Sequence, residues 1–399
     1  MIRLRRNLYG CKQASRNWYL HLTAGLTSRG FTQSTVDPCL YIRHDCIIVL
    51  YTDDCCVFAH DSSVIKAVIA DLAQDFVLKD EGEIEDFLGI HVTKTVGTDD
   101  TTRIEMTQTG LIDSILQDVG LHDNDPKTKR TPAADILHPS DTLNLPFDAH
   151  WNYRSVIGKL NFLAQNTRPD IAFAVHQCAR YCSAPRKIHQ IAVKYLCRYL
   201  LLTRTRGLIF TPTGTNSLDA YCDSDFAGTW STKTSNQRTS SLSRTGYVVT
   251  YGGCPVHWAS KLQTEIALST CEAEFIALSQ CARSLIPMRT LMNELTKHFR
   301  VPLLSSPLCE GASRTMTRLH RSVIHEDNAG CLELAMDTTH KYRPRTKHIG
   351  IKYWHFRDQI ASGHIVVEKI HTSLNWADIF TKALGPATFE TIRKLMMGW

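Results

Sequence analysis

The chain has 399 residues, enough for two or three domains, and its 43% hydrophobic content fills ordinary cores. No run of 18 uncharged apolar residues offers a membrane span, and the opening Met-Ile-Arg-Leu-Arg-Arg has no apolar stretch behind it, which speaks against a secretory signal. The net charge of +6 suits a polyanionic partner without demanding one. Fourteen cysteines are scattered with no Cys-x-x-Cys pair, so they read as buried thiols of an intracellular, reducing compartment, cytoplasmic or nuclear. The absence of His-Glu-x-x-His and Gly-x-Ser-x-Gly leaves no support for a zinc hydrolase or a serine hydrolase.

In chain order, residues 1–30 read as one amphipathic helix ending at Gly30. Cys39–Arg43 and Cys46–Phe58 are β-rich and broken at Thr52-Asp53-Asp54, which predicts a hairpin. Val64–Leu78 carries helical periodicity, Phe87–Thr95 and Thr102–Met106 form a second strand pair, and Thr109–Val119 is a helix stopped by Gly120. Asp123–Asp148, rich in Asp, Pro, Thr and Lys, reads as an exposed connection. Tyr153–Asn166 and Ile171–Ser183 are helices parted by a stop at Arg168–Asp170, and His189–Leu202 is a third, making a helical subdomain. Thr211-Pro212-Thr213-Gly214 marks a boundary. Beyond it come strands at Ser217–Ser224, Gly246–Tyr251 and Val256–Ala259, a long helix over Ser269–Leu295, a mobile loop over Leu303–His320, and strands at Ser322–His325 and His364–His371. Helices lie between and after these last strands, an α/β layer pattern.

Four acids mark this second half. Asp223 closes a strand, Glu274 lies early in the long helix, Asp327 follows a strand, and Asp378 opens the last helix. They are 51, 53 and 51 residues apart, so each belongs to a different element. Phosphodiester hydrolysis by paired Mg²⁺ ions would explain their convergence, because Mg²⁺ prefers carboxylate oxygens and keeps several waters. The alternative is four solvated turn acids among 39 acidic residues. Glu272 fits a capping box with Ser269, which leaves Glu274 without a capping task. The dipole of a helix start would favour Asp378 in any case.

The strings Tyr-Cys-Asp-Ser-Asp-Phe-Ala-Gly (221–228), Ser-Thr-Cys-Glu-Ala-Glu-Phe-Ile-Ala-Leu (269–278), Glu-Asp-Asn-Ala-Gly (326–330), Arg-Thr-Lys-His-Ile-Gly-Ile-Lys-Tyr (345–353) and Ala-Asp-Ile-Phe-Thr-Lys-Ala-Leu (377–384) occur in that order. Together they resemble the ribonuclease H region of copia-type LTR retrotransposon Pol polyproteins. The resemblance implies that Asp223, Glu274, Asp327 and Asp378 hold two Mg²⁺ or Mn²⁺ ions and cut the RNA strand of RNA–DNA hybrids. Asp225 stands beside Asp223 as the other choice for the first ligand. His371, before the last aspartate, is either a proton shuttle or an exposed loop histidine. His348 is structural or a phosphate contact. Lys341, Arg343, Arg345 and Lys347 either line the hybrid backbone or form a solvated basic loop.

Tyr51-Thr52-Asp53-Asp54 is similar to the Tyr-x-Asp-Asp hairpin of reverse transcriptases, which implies metal-binding, catalytic roles for Asp53 and Asp54. Acidic turns are common by themselves, but Asn7–Tyr19 resembles the segment of that family flanking the incoming nucleotide, with Gln13 as a nucleic-acid contact. Phe87-Leu88-Gly89-Ile90, Tyr153–Gly158 and Thr167–Ile171 also match. The implied architecture is an α/β and α+β multidomain chain. It comprises a partial reverse-transcriptase palm (1–122), a linker with helical thumb or connection (123–210), and a ribonuclease H-like mixed-sheet domain (215–390). The family's upstream palm aspartate has no counterpart here, so the expectation is a nuclease that does not polymerise DNA by itself. The alternatives are an inactive hybrid-binding relic, or a fragment of a complete gag-pol polyprotein with RNA-directed DNA polymerase activity. Expected partners are RNA–DNA hybrid and other Pol or Gag products, with no membrane.

Overall fold

The computed structural model describes residues 8, 10–98, 101–122, 125, 127–138, 145–211, 217–299, 321–336 and 356–399. The chain forms two compact units, residues 1–84 with 286–303 and residues 85–285 with 304–399. Leu303–His320, the basic run Lys341–His348, and much of the boundary at 211–214 lie outside the described residues.

The first unit is a four-stranded antiparallel sheet, β1 (Thr32–Gln33), β2 (Leu40–Arg43), β3 (Cys46–Tyr51) and β4 (Asp54–Ala59), in sequence order. Two helices, α1 (Ala14–Ser28) and α2 (Ser62–Leu72), cover one face, where Leu26, Phe31, Tyr41, Ile48, Val68, Leu72 and Phe76 form a core. Alternation puts Leu40 and Ile42 on the opposite face, against Leu291 and Leu295. The single helix expected over residues 1–30 is shorter, because Gly10 sits at φ +88° and a turn precedes Ala14. The second helix ends at Leu72 rather than Leu78, since Phe76 folds back on Trp18 and His21.

Among the described residues the second unit holds two sheets. One is antiparallel: β5 (Asp86–Phe87), β6 (Ile90–Val96), β7 (Thr102–Thr107) and β8 (Leu208–Phe210). Between β7 and β8 run α3 (Thr109–Asp118), α4 (Tyr153–Asn166), α5 (Ala172–Ala179) and α6 (Lys187–Leu202). The other sheet has the order β11-β10-β9-β12-β13, with β9 (Leu218–Asp225), β10 (Arg244–Tyr251), β11 (Cys254–Leu262), β12 (Ser322–Glu326) and β13 (Ile365–Lys369). β9, β10 and β11 are antiparallel, while β12 pairs in parallel with β9 and β13. The remaining α-helices among the described residues are α7 (Thr270–Phe299), α8 (Ala329–Met336), α9 (Arg357–Ala361) and α10 (Pro386–Met397). Residues of α7 up to Leu285 belong to this unit and those from Ile286 to the first.

A large hydrophobic core runs through much of this unit. It joins Ile112 and Ile115 of α3, Leu160 and Leu163 of α4, Leu196 and Leu200 of α6, Val248 of β10, and Phe389, Ile392 and Met396 of α10. The stop at Arg168–Asp170 is more than punctuation. Arg168 and Asp170 are fully buried and paired at 2.8 Å, Arg168 also donates to Thr203 O at 3.1 Å, and the Tyr199 hydroxyl donates to Asp170 at 2.5 Å. A buried pair of this kind is tolerable only because its remaining hydrogen-bonding positions are filled. The connection expected to be exposed is partly built in: Thr131 and Leu137 are buried, and Leu137 N–H donates to Gln177 Oε1 at 2.7 Å. No helix among the described residues is long and apolar enough to cross a membrane.

Candidate active site

The last six residues of β9, Ala220–Asp225, run through the centre of the five-stranded sheet, and alternation turns Ala220 and Cys222 to one face and Asp223 to the other. Asp223 is 1% exposed. Opposite it on β10 stands Gly246, where a Cβ would lie 2.6 Å from Thr381 Cγ2 and 2.9 Å from Ala377 O. Glycine there lets the short 3-10 turn Trp376–Phe380 dock on the sheet, and that turn carries Asp378. Asp378 therefore does not open the last helix, which begins at Pro386. Asn375 caps the turn through Ala377 N–H at 3.1 Å and donates to Cys222 O at 2.9 Å, tying it to β9.

Glu274 comes from the first turns of α7. Ser269 Oγ accepts from Glu272 N–H at 3.1 Å, and Glu272 accepts from Leu268 N–H at 2.8 Å, a capping arrangement that fixes the helix start. Gln263, just past the end of β11, reinforces it by donating to Ala273 O at 2.9 Å. Asp327 follows β12, just before α8, whose start is capped by Asn328 Oδ1 accepting from Cys331 N–H at 2.9 Å.

These elements bring together two carboxylate groups that share Asp327. Asp223, Asp327 and Asp378 each offer an oxygen within 4.8 Å of the others, and so do Glu274, Glu326 and Asp327. Asp225 lies outside both groups. It is partly buried, opposite Arg244 in the ladder, and burial raises its carboxyl pKa against the pull of Arg244 and Lys382. Lys382 Nζ sits 2.8 Å from Asp378 and 3.3 Å from Asp223, and the Thr381 hydroxyl donates to Asp223.

The electrostatics follow from packing like charges in a dry place. Burial pushes the Asp223 carboxyl up to about 7, with Lys382 opposing and Asp378 adding to the rise. Glu274 is pushed up to about 10 by burial, then by Glu326, Asp223 and Asp327. Glu326 rises to about 8 by burial, offset by hydrogen bonds from Asn328 and Cys222. Asp378 also rises by burial, restrained by Lys382. Burial would lower the Lys382 ammonium, but Asp223 and Asp378 outweigh it and hold it above the ordinary lysine range. The donor set is wholly carboxylate oxygen, and Glu274 Oε2 is buried without a hydrogen-bond partner. Such a set fits hard divalent cations.

Glu326 and Lys382 were not singled out in sequence. Lys382 had a signal, its position four residues after Asp378. Glu326 had only its place beside Asp327. His371 is exposed and caps the turn Thr372–Leu374, its Nδ1 2.8 Å from Ser373 Oγ. In the first unit, Asp53 and Asp54 stand exposed at the β3–β4 turn, where Thr52 has φ +55° and its carbonyl accepts from Trp18 Nε1 at 3.2 Å. Among the described residues no third acid joins Asp53 and Asp54. Gln13 immediately precedes α1 and is exposed.

Residues 1–134 match the family described as reverse transcriptase (RNA-dependent DNA polymerase). The chain is 30% identical over 406 residues to the retrovirus-related Pol polyprotein from transposon TNT 1-94 of Nicotiana tabacum, covering 99% of this chain and 28% of that protein. It is 30% identical over 396 residues to the corresponding polyprotein from transposon RE1 of Arabidopsis thaliana, covering 97% of this chain and 24% of that protein. An uncharacterised mitochondrial protein of Arabidopsis thaliana is 30% identical over 239 residues, covering 60% of this chain and 92% of that protein. The chain spans about a quarter of the length of the two polyproteins, and it belongs to the family of copia-type retrovirus-related Pol polyproteins.

Proposed function

We propose that this chain is a ribonuclease H that hydrolyses the RNA strand of RNA–DNA hybrids. The observation that carries the reading is the meeting of Asp223, Glu274, Asp327 and Asp378, from four separate elements, in one largely buried cluster. Four carboxylates would not be gathered out of water for stability, since like charges repel where water does not screen them. Asp223, Glu274, Asp327 and Asp378 would hold two Mg²⁺ or Mn²⁺ ions. Those ions, when bound, activate the attacking water and stabilise the leaving oxygen.

The chain's own residues do the rest. Lys382 and Thr381 fix the carboxylate of Asp223, and Asn375 locks the turn of Asp378 to the strand of Asp223. Half-buried Asp327 is the member of both carboxylate groups. Exposed His371, four residues before the Asn375 cap, would return a proton to the 3′ oxygen. In this reading residues 215–390 are the nuclease domain, 123–210 the linker and thumb or connection, and 1–122 part of a palm. Partners are the hybrid and other Pol or Gag products.

The test uses the purified chain with Mg²⁺ and a hybrid labelled on its RNA strand, beside Asp327→Asn and Glu274→Gln. Cation-dependent cutting that both substitutions abolish is expected. A folded chain that binds hybrid and leaves it intact would make it a binding relic instead. Primer extension in the same preparation tests the companion expectation that the exposed Asp53–Asp54 turn does not polymerise DNA in this chain.

A further inference from the structure

Glu326 is a side chain in the wrong kind of place. β12 buries alternate residues, Ser322, Ile324 and Glu326, and Glu326 is 0% exposed. A carboxylate on the buried face of an inner strand is strongly unfavourable unless something positive meets it. Its hydrogen bonds are modest: Oε1 accepts from Asn328 N–H at 3.0 Å and Oε2 from the Cys222 thiol at 3.2 Å. Its nearest charged neighbours are acids, with oxygens of Glu274 and Asp327 within 4.8 Å.

The two halves of the cluster are compensated unequally. Asp223 and Asp378 share the Lys382 ammonium. Among the described residues, no basic side chain pairs with Glu274, Glu326 or Asp327. Glu274 is only 7% exposed, and its Oε2 has no hydrogen-bond partner at all. Three carboxylates thus converge with an orphan oxygen and no internal cation. That oxygen is shut off from bulk water, and carboxylate oxygens converging in this way suit a small hard ion.

We propose that Glu326 is a fifth carboxylate of the centre, joining Glu274 and Asp327 as a direct ligand of a divalent cation. This rests on the nuclease reading for the remainder of the site and adds a residue outside its four acids. The ligand is a hard divalent ion, Mg²⁺ or Mn²⁺, held on the side of the cluster away from Lys382.

Manganese binding tests this without relying on turnover. The full chain is titrated with Mn²⁺, free ion being followed by electron paramagnetic resonance, and melted with and without Mn²⁺. The wild type is expected to take up about two ions per chain. Glu326→Gln keeps an acceptor for Asn328 N–H and removes the charge. It should weaken one of the two ions by roughly tenfold or more and leave the other unchanged. Its cation-free melting temperature should equal or exceed that of the wild type, while the rise on adding Mn²⁺ shrinks. Glu326→Asp, with the charge restored on a shorter arm, should recover part of the loss. Two ions bound with wild-type affinities by Glu326→Gln would overturn the proposal, as would a wild type that takes up one ion or none. A lower cation-free melting temperature with unchanged manganese uptake would make Glu326 a purely structural acid. Hybrid cutting in parallel separates the two readings. A chain that binds two ions through Glu326 without cutting RNA defeats the nuclease and keeps the ligand, and the reverse pattern does the opposite.

Discussion

Asp53 and Asp54 are neighbours in sequence and stand exposed at a hairpin tip, whereas Asp223, Glu274, Asp327 and Asp378 are more than 50 residues apart and meet inside the protein. Both regions carry paired acids, yet only the second gathers them out of water. The hairpin pair faces solvent, while the inner group packs like charges into a largely buried place where a cation would relieve them. Proximity in sequence is therefore a poor guide to where charge is concentrated. What concentrates it here is the sheet, which sets β9 beside β12 and leaves room on β10 for the turn of Asp378.

Substitutions sharpen the contrast. The largest effect is expected for Asp327→Asn, which touches both carboxylate groups and should lower RNA cutting by roughly 1,000-fold or more. Asp53→Asn in the same assay should leave cutting within about twofold, as an exposed change in the other unit. Equal losses from the two would end the comparison. Next comes Arg168→Met, which strands Asp170 in the core beneath Tyr199. Chemical denaturation should show a loss of about 3–5 kcal/mol. Gly246→Ala pushes a methyl group into the turn that carries Asp378. It should lower stability by about 1–3 kcal/mol and reduce cutting together with it. The smallest effect belongs to the hairpin. Thr52 is held in a left-handed conformation, so Thr52→Gly should stabilise by about 0.5–1 kcal/mol, with RNA cutting unchanged.

Much of this was legible from the sequence, for physical reasons. Helix α4 was bounded correctly because its apolar spacing is strong, and Asn152 at its start accepts from Ser155 N–H. The β3–β4 and β10–β11 hairpins announced themselves by strand runs around Thr52–Asp53 and Gly252–Gly253. The four acids came from motif resemblance, not from spacing, since nothing in a separation of 51 residues says that two elements meet. Asp378 was misplaced because Asn375-Trp376-Ala377-Asp378 looks like a helix start and does cap one, though only a 3-10 turn. β8 is three residues long and pairs with β7 a hundred positions earlier, which no local pattern reveals. There Gly207 admits the approach, since a Cβ would meet Met106 O at 1.9 Å. Arg168 read as a helix breaker because Thr203, to which it donates, and the Tyr199 ring it lies over are a helix away.

The continuous core of the second unit bears on how the protein is made. Phe389, Ile392 and Met396 complete the apolar packing of helices that begin at Thr109, and Trp399 donates to Gly207 O at 2.7 Å. During synthesis, residues 109–202 leave the ribosome with that face uncovered and wait for some two hundred further residues before it closes. In that interval the helical region would expose apolar surface of the kind chaperones bind, with the carboxylate centre still unassembled. The carboxylate centre and the helices beside it would mature together, late and in one step.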